Sequence, residues 1–289
     1  MRPEEIGWSA KPLGEPGPGA VEVTWLGTAG FSIRSGEHVL LIDPYVTRAS
    51  LLRCAFGNVV PDRPRIAALF PKVDAIVLGH THFDHALDAP EIALRTGAKV
   101  FGSRSAATLC RAAGVLADKI EVVEPEAGQA PRVAEVGPFT LRFLPSAHSR
   151  LALGRVPFPG EIADCDDVPT RITAYRCGAV FSLEIKVSGR TIVHVGSAEV
   201  TESVEARNVD LALACVAGWT KGDRVPERLM RALAPRAVLL SHWDDFFRPL
   251  DEPARILPAM RLGAFVDRLS RAGRDVQIGT VGLLATITI

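Results

Sequence analysis

The chain carries no surplus of charge: 33 Lys and Arg offset 33 Asp and Glu over 289 residues. The basic footprint that a nucleic-acid backbone requires is therefore missing, and no nucleic-acid partner is expected. Nor is there a C-x-x-C pair. Cys54, Cys110, Cys165, Cys177 and Cys215 are scattered and odd in number, which argues against a disulfide framework or a thiolate zinc site and fits a reducing cytoplasm. No segment approaches the roughly 20 apolar residues of a membrane span. The opening MRPEEIGWSAKPLGEPGPG places acids and prolines where a signal peptide needs an apolar core. No G-x-S-x-G stretch offers a serine nucleophile, and repeats of fixed period are absent.

What is present is an alternation of short apolar runs and helical stretches. Residues 1–19, rich in Pro and Gly, are expected to form an irregular arm, with one domain over 20–289. AVEVTWLGTAGFSI and HVLLIDPYV read as a β-hairpin opening a sheet, and DAIVLG as a strand covered on both faces. Helix and strand then alternate through PEIALRTG, AKVFG, SAATLCRAAG and KIEVVEP. FTLRFLPSAHSR is a further strand, and AVFSLEIKVSGRTIVHVGSAE a hairpin turning at Ser188-Gly189. VDLALACVAG and AVLLSHW are strands, PERLMRALA and ILPAMRLGAFVDRLSRAG helices, and VGLLATITI closes the sheet. Residues 149–178 break this regularity and are read as an active-site loop.

Three of the chain's 7 histidines fall within six residues, HTHFDH, at the exit of the DAIVLG strand. His80, His82, Asp84 and His85 supply imidazoles and a carboxylate from one turn, a donor set suited to a borderline-soft divalent ion and hard to explain by packing. His148 in PSAHS and His242 in SHWDDF each follow a strand as well. One sheet edge can thus gather five histidines at loops of the kind that carry chemistry. His38 and His194 lie within strands and are assigned no role.

HTHFDH resembles the H-x-H-x-D-H signature of the metallo-β-lactamase superfamily. VTWLGTAGFSI followed by LLIDPY is similar to the first hairpin of its lactonase-like and phospholipase D-like members. The resemblance covers nearly the whole chain and implies a four-layer αββα sandwich with a metal centre at one edge of the sheets. Carried over, His80, His82 and His148 hold a first metal, and Asp84, His85 and His242 a second. One departure stands out: Ser197, in TIVHVGSAEV, occupies the place of the superfamily's bridging aspartate. A neutral hydroxyl is a poor ligand. Three readings stay open: one tight ion with a loose second site, two ions bridged through Glu199 or water, or a degenerate site.

A metal held by three neutral histidines keeps an open position and lowers the pKa of its bound water to about 7. The expected function is a metallo-hydrolase that uses a metal-bound hydroxide on a small ester, lactone or phosphodiester, with Asp84 orienting or deprotonating the water. One or two zinc ions are expected, with manganese or iron as alternatives. Tyr175, Arg155 and Trp243 are expected to contact a small-molecule substrate, and Asp244 and Asp245 to accept from a ligand histidine or face solvent. A homo-oligomer is compatible with all of this. The competing readings are a degenerate binding protein on the same fold and a superfamily nuclease.

Overall fold

A computed structural model of the chain describes residues 3–8, 19–126, 129–151, 154–201, 203, 204, 206, 208–258 and 260–289. In chain order the elements are β1 (Val21–Gly27), β2 (Gly30–Ser35), β3 (His38–Ile42), α1 (Leu51–Phe56), α2 (Arg63–Leu69), β4 (Ala75–Val77), α3 (Phe83–Ala86), α4 (Ala89–Thr96), β5 (Lys99–Gly102), α5 (Arg104–Ala112) and β6 (Ile120–Val122). There follow β7 (Val133–Val136), β8 (Phe139–Ser146), β9 (Val180–Val187), β10 (Arg190–Val195), β11 (Leu211–Cys215), α6 (Val225–Leu233), β12 (Ala237–Ser241), α7 (Leu262–Ala272), β13 (Gln277–Gly279) and β14 (Thr286–Thr288).

The strands form two seven-stranded sheets, ordered β14-β1-β2-β3-β4-β5-β6 and β13-β12-β11-β10-β9-β8-β7. Each sheet is antiparallel at one end and parallel at the other. Parallel strands need a long crossover, and the helices supply it while covering the outer faces. Between the sheets Trp25, Phe31, Phe101, Phe143 and Leu183 pack into one core. Leu41, Ile76 and Val100 face the other way and meet Ile66, Ile92 and Leu109 of α2, α4 and α5. Leu229 and Leu233 of α6 and Phe265 of α7 join the cluster that contains β11 and β12. The arrangement is the four-layer αββα sandwich.

β4 shows how the pattern writes the layers: all three residues are buried, Ala75 and Val77 toward the partner sheet and Ile76 toward the helices. The Ser188-Gly189 turn forms with both residues in the left-handed region (φ 50° and 74°), as a two-residue hairpin needs. Residues 20–33, read as one arm of a hairpin, instead hold two strands. Gly27 (φ 91°) and Thr28 (φ 52°) reverse the chain, and Trp25 Nε1 donates to the Thr28 carbonyl at 3.1 Å to fasten the turn. The helix expected over 256–273 begins only at Leu262, after Arg261 at φ 48°. Pro3–Ile6 form a 3-10 turn, and Trp8 N donates to Thr280 O at 2.7 Å; residues 9–18 of the expected arm lie outside the described residues. Among the described residues no helix is long and apolar enough to cross a membrane.

Candidate metal centre

Strand ends deliver every histidine of the expected constellation to one place. After β4, Leu78 and Gly79 carry the chain to His80 and His82, and α3 turns Asp84 and His85 inward. A side chain at Gly79 would meet Asp43 Oδ2 at 3.1 Å and the Phe181 carbonyl at 3.3 Å, so a larger residue would push against the buried Asp43 carboxylate. Asp43, just past β3, accepts from Gly79 N at 2.7 Å and from His85 Nδ1 at 2.9 Å. From the second sheet come His148 beyond β8, Ser197 beyond β10 and His242 beyond β12. His242 sits at φ 56°, its N–H donating to the Thr28 carbonyl at 2.7 Å.

Three groups of candidate ligands result: His80, His82 and His148; Asp84, His85 and His242; and Asp43, His80 and His85. Within each group the donor atoms lie within 4.8 Å of one another. Most of the histidines have one ring nitrogen fixed from outside. His82 Nε2 donates to the Pro157 carbonyl (2.8 Å), His148 Nδ1 to the Ser149 carbonyl (2.6 Å) and His85 Nδ1 to Asp43. His82 and His148, which burial keeps neutral, therefore hold their other nitrogen bare. His80 Nε2 and His82 Nδ1 lie 3.1 Å apart, close enough for both to reach one cation. His242 Nε2 lies 3.4 Å from Asp84 Oδ2. The donor set fits a divalent ion.

The electrostatics agree. Burial, reinforced by neighbouring imidazoles, holds His80 well below the ordinary histidine range, lowers His82, and takes His148 down to about 3, so these rings are neutral at neutral pH as ligands must be. Burial also works against ionised Asp84, but His85 and the hydrogen bond from His242 outweigh it and hold the carboxyl well below its usual range. Burial opposes charge on His85 too, yet Asp43 and Asp84 raise it above the usual value.

Other sequence expectations fall elsewhere. Glu199 turns away to Arg228, Oε1 to Nη1 3.4 Å, and belongs to none of the ligand groups found among the described residues. Ser197 does reach the cavity, where its Oγ accepts from Ser149 N at 2.8 Å and so steadies the residue beside His148. Trp243 is carried into the core by the turn at His242, its ring 5.1 Å from Trp25 and its Nε1 donating to the Leu240 carbonyl. Tyr175 is fully buried in the layer outside the first sheet, where it lines a groove with Val60 and Leu94. Arg155 is exposed and does not line the cavity; Ala152 and Leu153 beside it lie outside the described residues. Asp244 is fully buried but pairs with Arg48 (2.6 Å) and accepts from Thr28 N (3.0 Å), not from a histidine. Asp245 accepts from Phe247 N.

His194 is buried with Nε2 2.9 Å from the Ala29 carbonyl, and exposed His38 lies 3.6 Å from Asp74. Sequence reasoning missed Asp43. The signal was available, a buried strand ending in Asp-Pro, but its meaning depends on how closely Gly79 approaches.

Against known proteins, the beta-lactamase superfamily domain matches residues 22–242. A metal-dependent hydrolase of Anaeromyxobacter dehalogenans is 28% identical over 266 residues, 89% of this chain and 87% of its own. One from Pyrococcus furiosus is 29% identical over 234 residues, 78% of this chain and 85% of its own. Of solved structures, a metallo hydrolase from Ignicoccus hospitalis superposes with a TM-score of 0.55 at 18% identity, covering 93% of this chain and 98% of that one. An isothiocyanate hydrolase from Delia radicum gut bacteria gives 0.57 at 16% identity, covering 93% and 99%.

Proposed function

The chain belongs to the beta-lactamase superfamily, and from that premise we propose that it is a metal-dependent hydrolase acting on a small ester, lactone or phosphodiester. The observation that carries this reading is that His82 and His148 each donate outward from one ring nitrogen and keep the other for the ligand group they form with His80. His80, His82 and His148 would hold one divalent ion, zinc, manganese or iron, and Asp84, His85 and His242 would hold a second or serve the substrate directly. A divalent ion so bound supplies an acidified water and a Lewis acid for the electrophilic oxygen.

The chain's own groups do the rest. Asp84 stays ionised and can only accept, so it orients the attacking water rather than storing its proton. Asp43 fixes the tautomer and aim of His85. Ser197 braces the His148 turn through Ser149 N. A cavity lined by His82, Asp84, His85, His148, Ser197 and His242 lies over these groups, the place for a small-molecule substrate. One domain over 20–289 and, with five free thiols, a cytoplasmic setting belong to the same reading.

Metal content and turnover test it together. Protein purified without chelator is expected to carry divalent metal and to hydrolyse at least one of a p-nitrophenyl ester, a lactone or bis(p-nitrophenyl) phosphate. His80→Ala and His148→Ala are expected to lose turnover and the ion of the group they belong to, and exposed Cys165→Ser neither. Activity retained in the histidine variants would sink the proposal. A binding role without turnover is the second reading, favoured by the hydroxyl at Ser197 and by Glu199 being engaged with Arg228; tightly held metal with none of the three substrates cleaved would select it.

A further inference from the structure

We infer that the substrate is an uncharged carboxylic ester, open-chain or cyclic, whose hydrocarbon arm is gripped between Phe158 and Phe246. The inference rests on the hydrolase reading above and narrows it. Beyond the candidate ligands the cavity is walled by Leu151, Pro157, Phe158, Phe246, Leu257 and Met260, and no lysine or arginine lines it among the described residues. Arg150 and Arg155, beside the walls in sequence, are exposed and outside the lining, and two other arginines of the same layer are engaged elsewhere. Arg171 donates Nη1 to the carbonyls of Phe56 and Gly57 at 2.9 Å, and Arg48 is buried against Asp244. The charge of an anionic phosphodiester could be met here only by the metal ions themselves, and its arms would find no guanidinium or ammonium, whereas a neutral ester arm gains from desolvation by these walls.

The two rings stand over both ligand groups. Phe158 meets His82 edge-on with ring centroids 6.4 Å apart, and Phe246 meets His242 at 5.5 Å and Phe83 at 6.3 Å. Phe158 is held at φ 37°, a region that a bulky L-residue rarely occupies, between Pro157 and Pro159. The backbone around it is pinned on both sides. Pro157 O accepts from His82 Nε2, Phe158 O from Cys177 N at 2.9 Å, and Gly160 O from Gly178 N at 2.9 Å. Strain sustained by that many partners at the mouth of a cavity marks a residue whose side-chain position matters.

In the reaction the oxygen of one water joins the acyl carbon. The acyl C–O bond breaks with its electron pair on the alcohol oxygen, and a proton from the water ends there. Carboxylic acid and alcohol are the products, and the walls that accept the neutral ester disfavour the carboxylate it becomes, which speeds release.

The experiment compares kcat/KM of the metal-loaded enzyme for p-nitrophenyl acetate, butyrate and octanoate with that for bis(p-nitrophenyl) phosphate. Each methylene that the walls bury can raise kcat/KM by up to about fourfold. Wild type is therefore expected to gain at least about tenfold from acetate to octanoate and to leave the phosphodiester far behind. Phe158→Ala and Phe246→Ala are expected to flatten that gain while metal content stays unchanged. Phe158→Gly, which relaxes the left-handed backbone, is expected to flatten it equally, which assigns the effect to the ring. A flat chain-length profile in wild type, or one untouched by the phenylalanine variants, overturns the inference. Phosphodiester preferred, with that activity lost in His80→Ala, overturns it and leaves the hydrolase reading standing. No turnover of any of the four substrates, or of a lactone, by metal-loaded protein overturns both.

Discussion

At the scale of single residues, Asp43 is the partner that aims His85 in the proposed second ligand group. Its carboxylate is fully buried and accepts from a histidine ring nitrogen and a backbone N–H at once. Asp43→Asn keeps the shape but must turn an NH₂ toward one of those two donors, leaving His85 free to rotate or to present the wrong nitrogen. Partners of this kind are worth about 10- to 100-fold in metal affinity. We expect Asp43→Asn to weaken binding of the last divalent ion by that amount, read by chelator-competition titration, with the circular-dichroism spectrum unchanged. An unaltered titration curve would remove Asp43 from the site.

HTHFDH was legible because six consecutive residues concentrate the chemistry on one strand exit. Asp43 was not, since its role arises from a glycine 36 residues later along the chain that lets the two segments touch. Trp243 misled for the opposite reason: it adjoins His242 in sequence, but the left-handed turn at His242 sends neighbouring side chains in different directions.

At the scale of elements, α4 shows how a helix start doubles as a tether. Asp88 precedes the helix but makes no side-chain cap bond to it. Its carboxylate instead accepts from Val46 N (2.7 Å), Thr47 N (2.8 Å) and the Thr47 hydroxyl (2.5 Å), tying α4 to the loop after β3. Burial outweighs those hydrogen bonds and pushes the Asp88 carboxyl up to about 6. The unfolded chain releases that proton near pH 4. The folded state thus binds more protons between about pH 4 and pH 6, so this group's contribution to stability is complete below pH 4, falls as pH rises, and is gone above pH 6. The decline amounts to about 1.4 kcal/mol per pH unit, or about 3 kcal/mol in all. We expect the stability of metal-free wild type relative to Asp88→Asn, from urea midpoints, to fall by that order between pH 4 and pH 6.5. A difference independent of pH would refute the assignment.

Elements with a long periodic pattern, such as α5, β9 and β10, could be read from sequence, and so could the Ser188-Gly189 turn. The break of residues 20–33 into β1 and β2 could not, because the apolar run continues through the reversal and Thr28 is not a residue that advertises a left-handed conformation. α1 was also missed: Leu51, Leu52 and Phe56 point to solvent, and only Cys54 packs inward, so no inward stripe betrays the helix.

At the scale of the whole molecule, the two sheets meet in an apolar core but are joined a second time at the site. Each of the two main ligand groups draws on both: His80 and His82 follow β4 of the first sheet while His148 follows β8 of the second, and Asp84 and His85 are answered by His242 beyond β12. An ion held by either group is therefore a bridge between sheets, and it binds the folded chain far better than the unfolded one. At a free metal concentration 100 times the dissociation constant such binding adds about 2.7 kcal/mol to folding. For a chain of this size that corresponds to a rise in Tm of about 4–5 °C for each ion. Because the bridge spans the sandwich, the shift belongs to one cooperative transition and not to the loosening of one sheet. We expect EDTA to lower Tm by that amount in a single step and added zinc to restore it. His148→Ala and His242→Ala should each keep part of the shift, since each leaves one bridge intact, and the double variant should lose it. A full shift surviving in the double variant would mean that the ion is held by one sheet alone, and the site would then no longer be the place where the two halves of the fold are fastened.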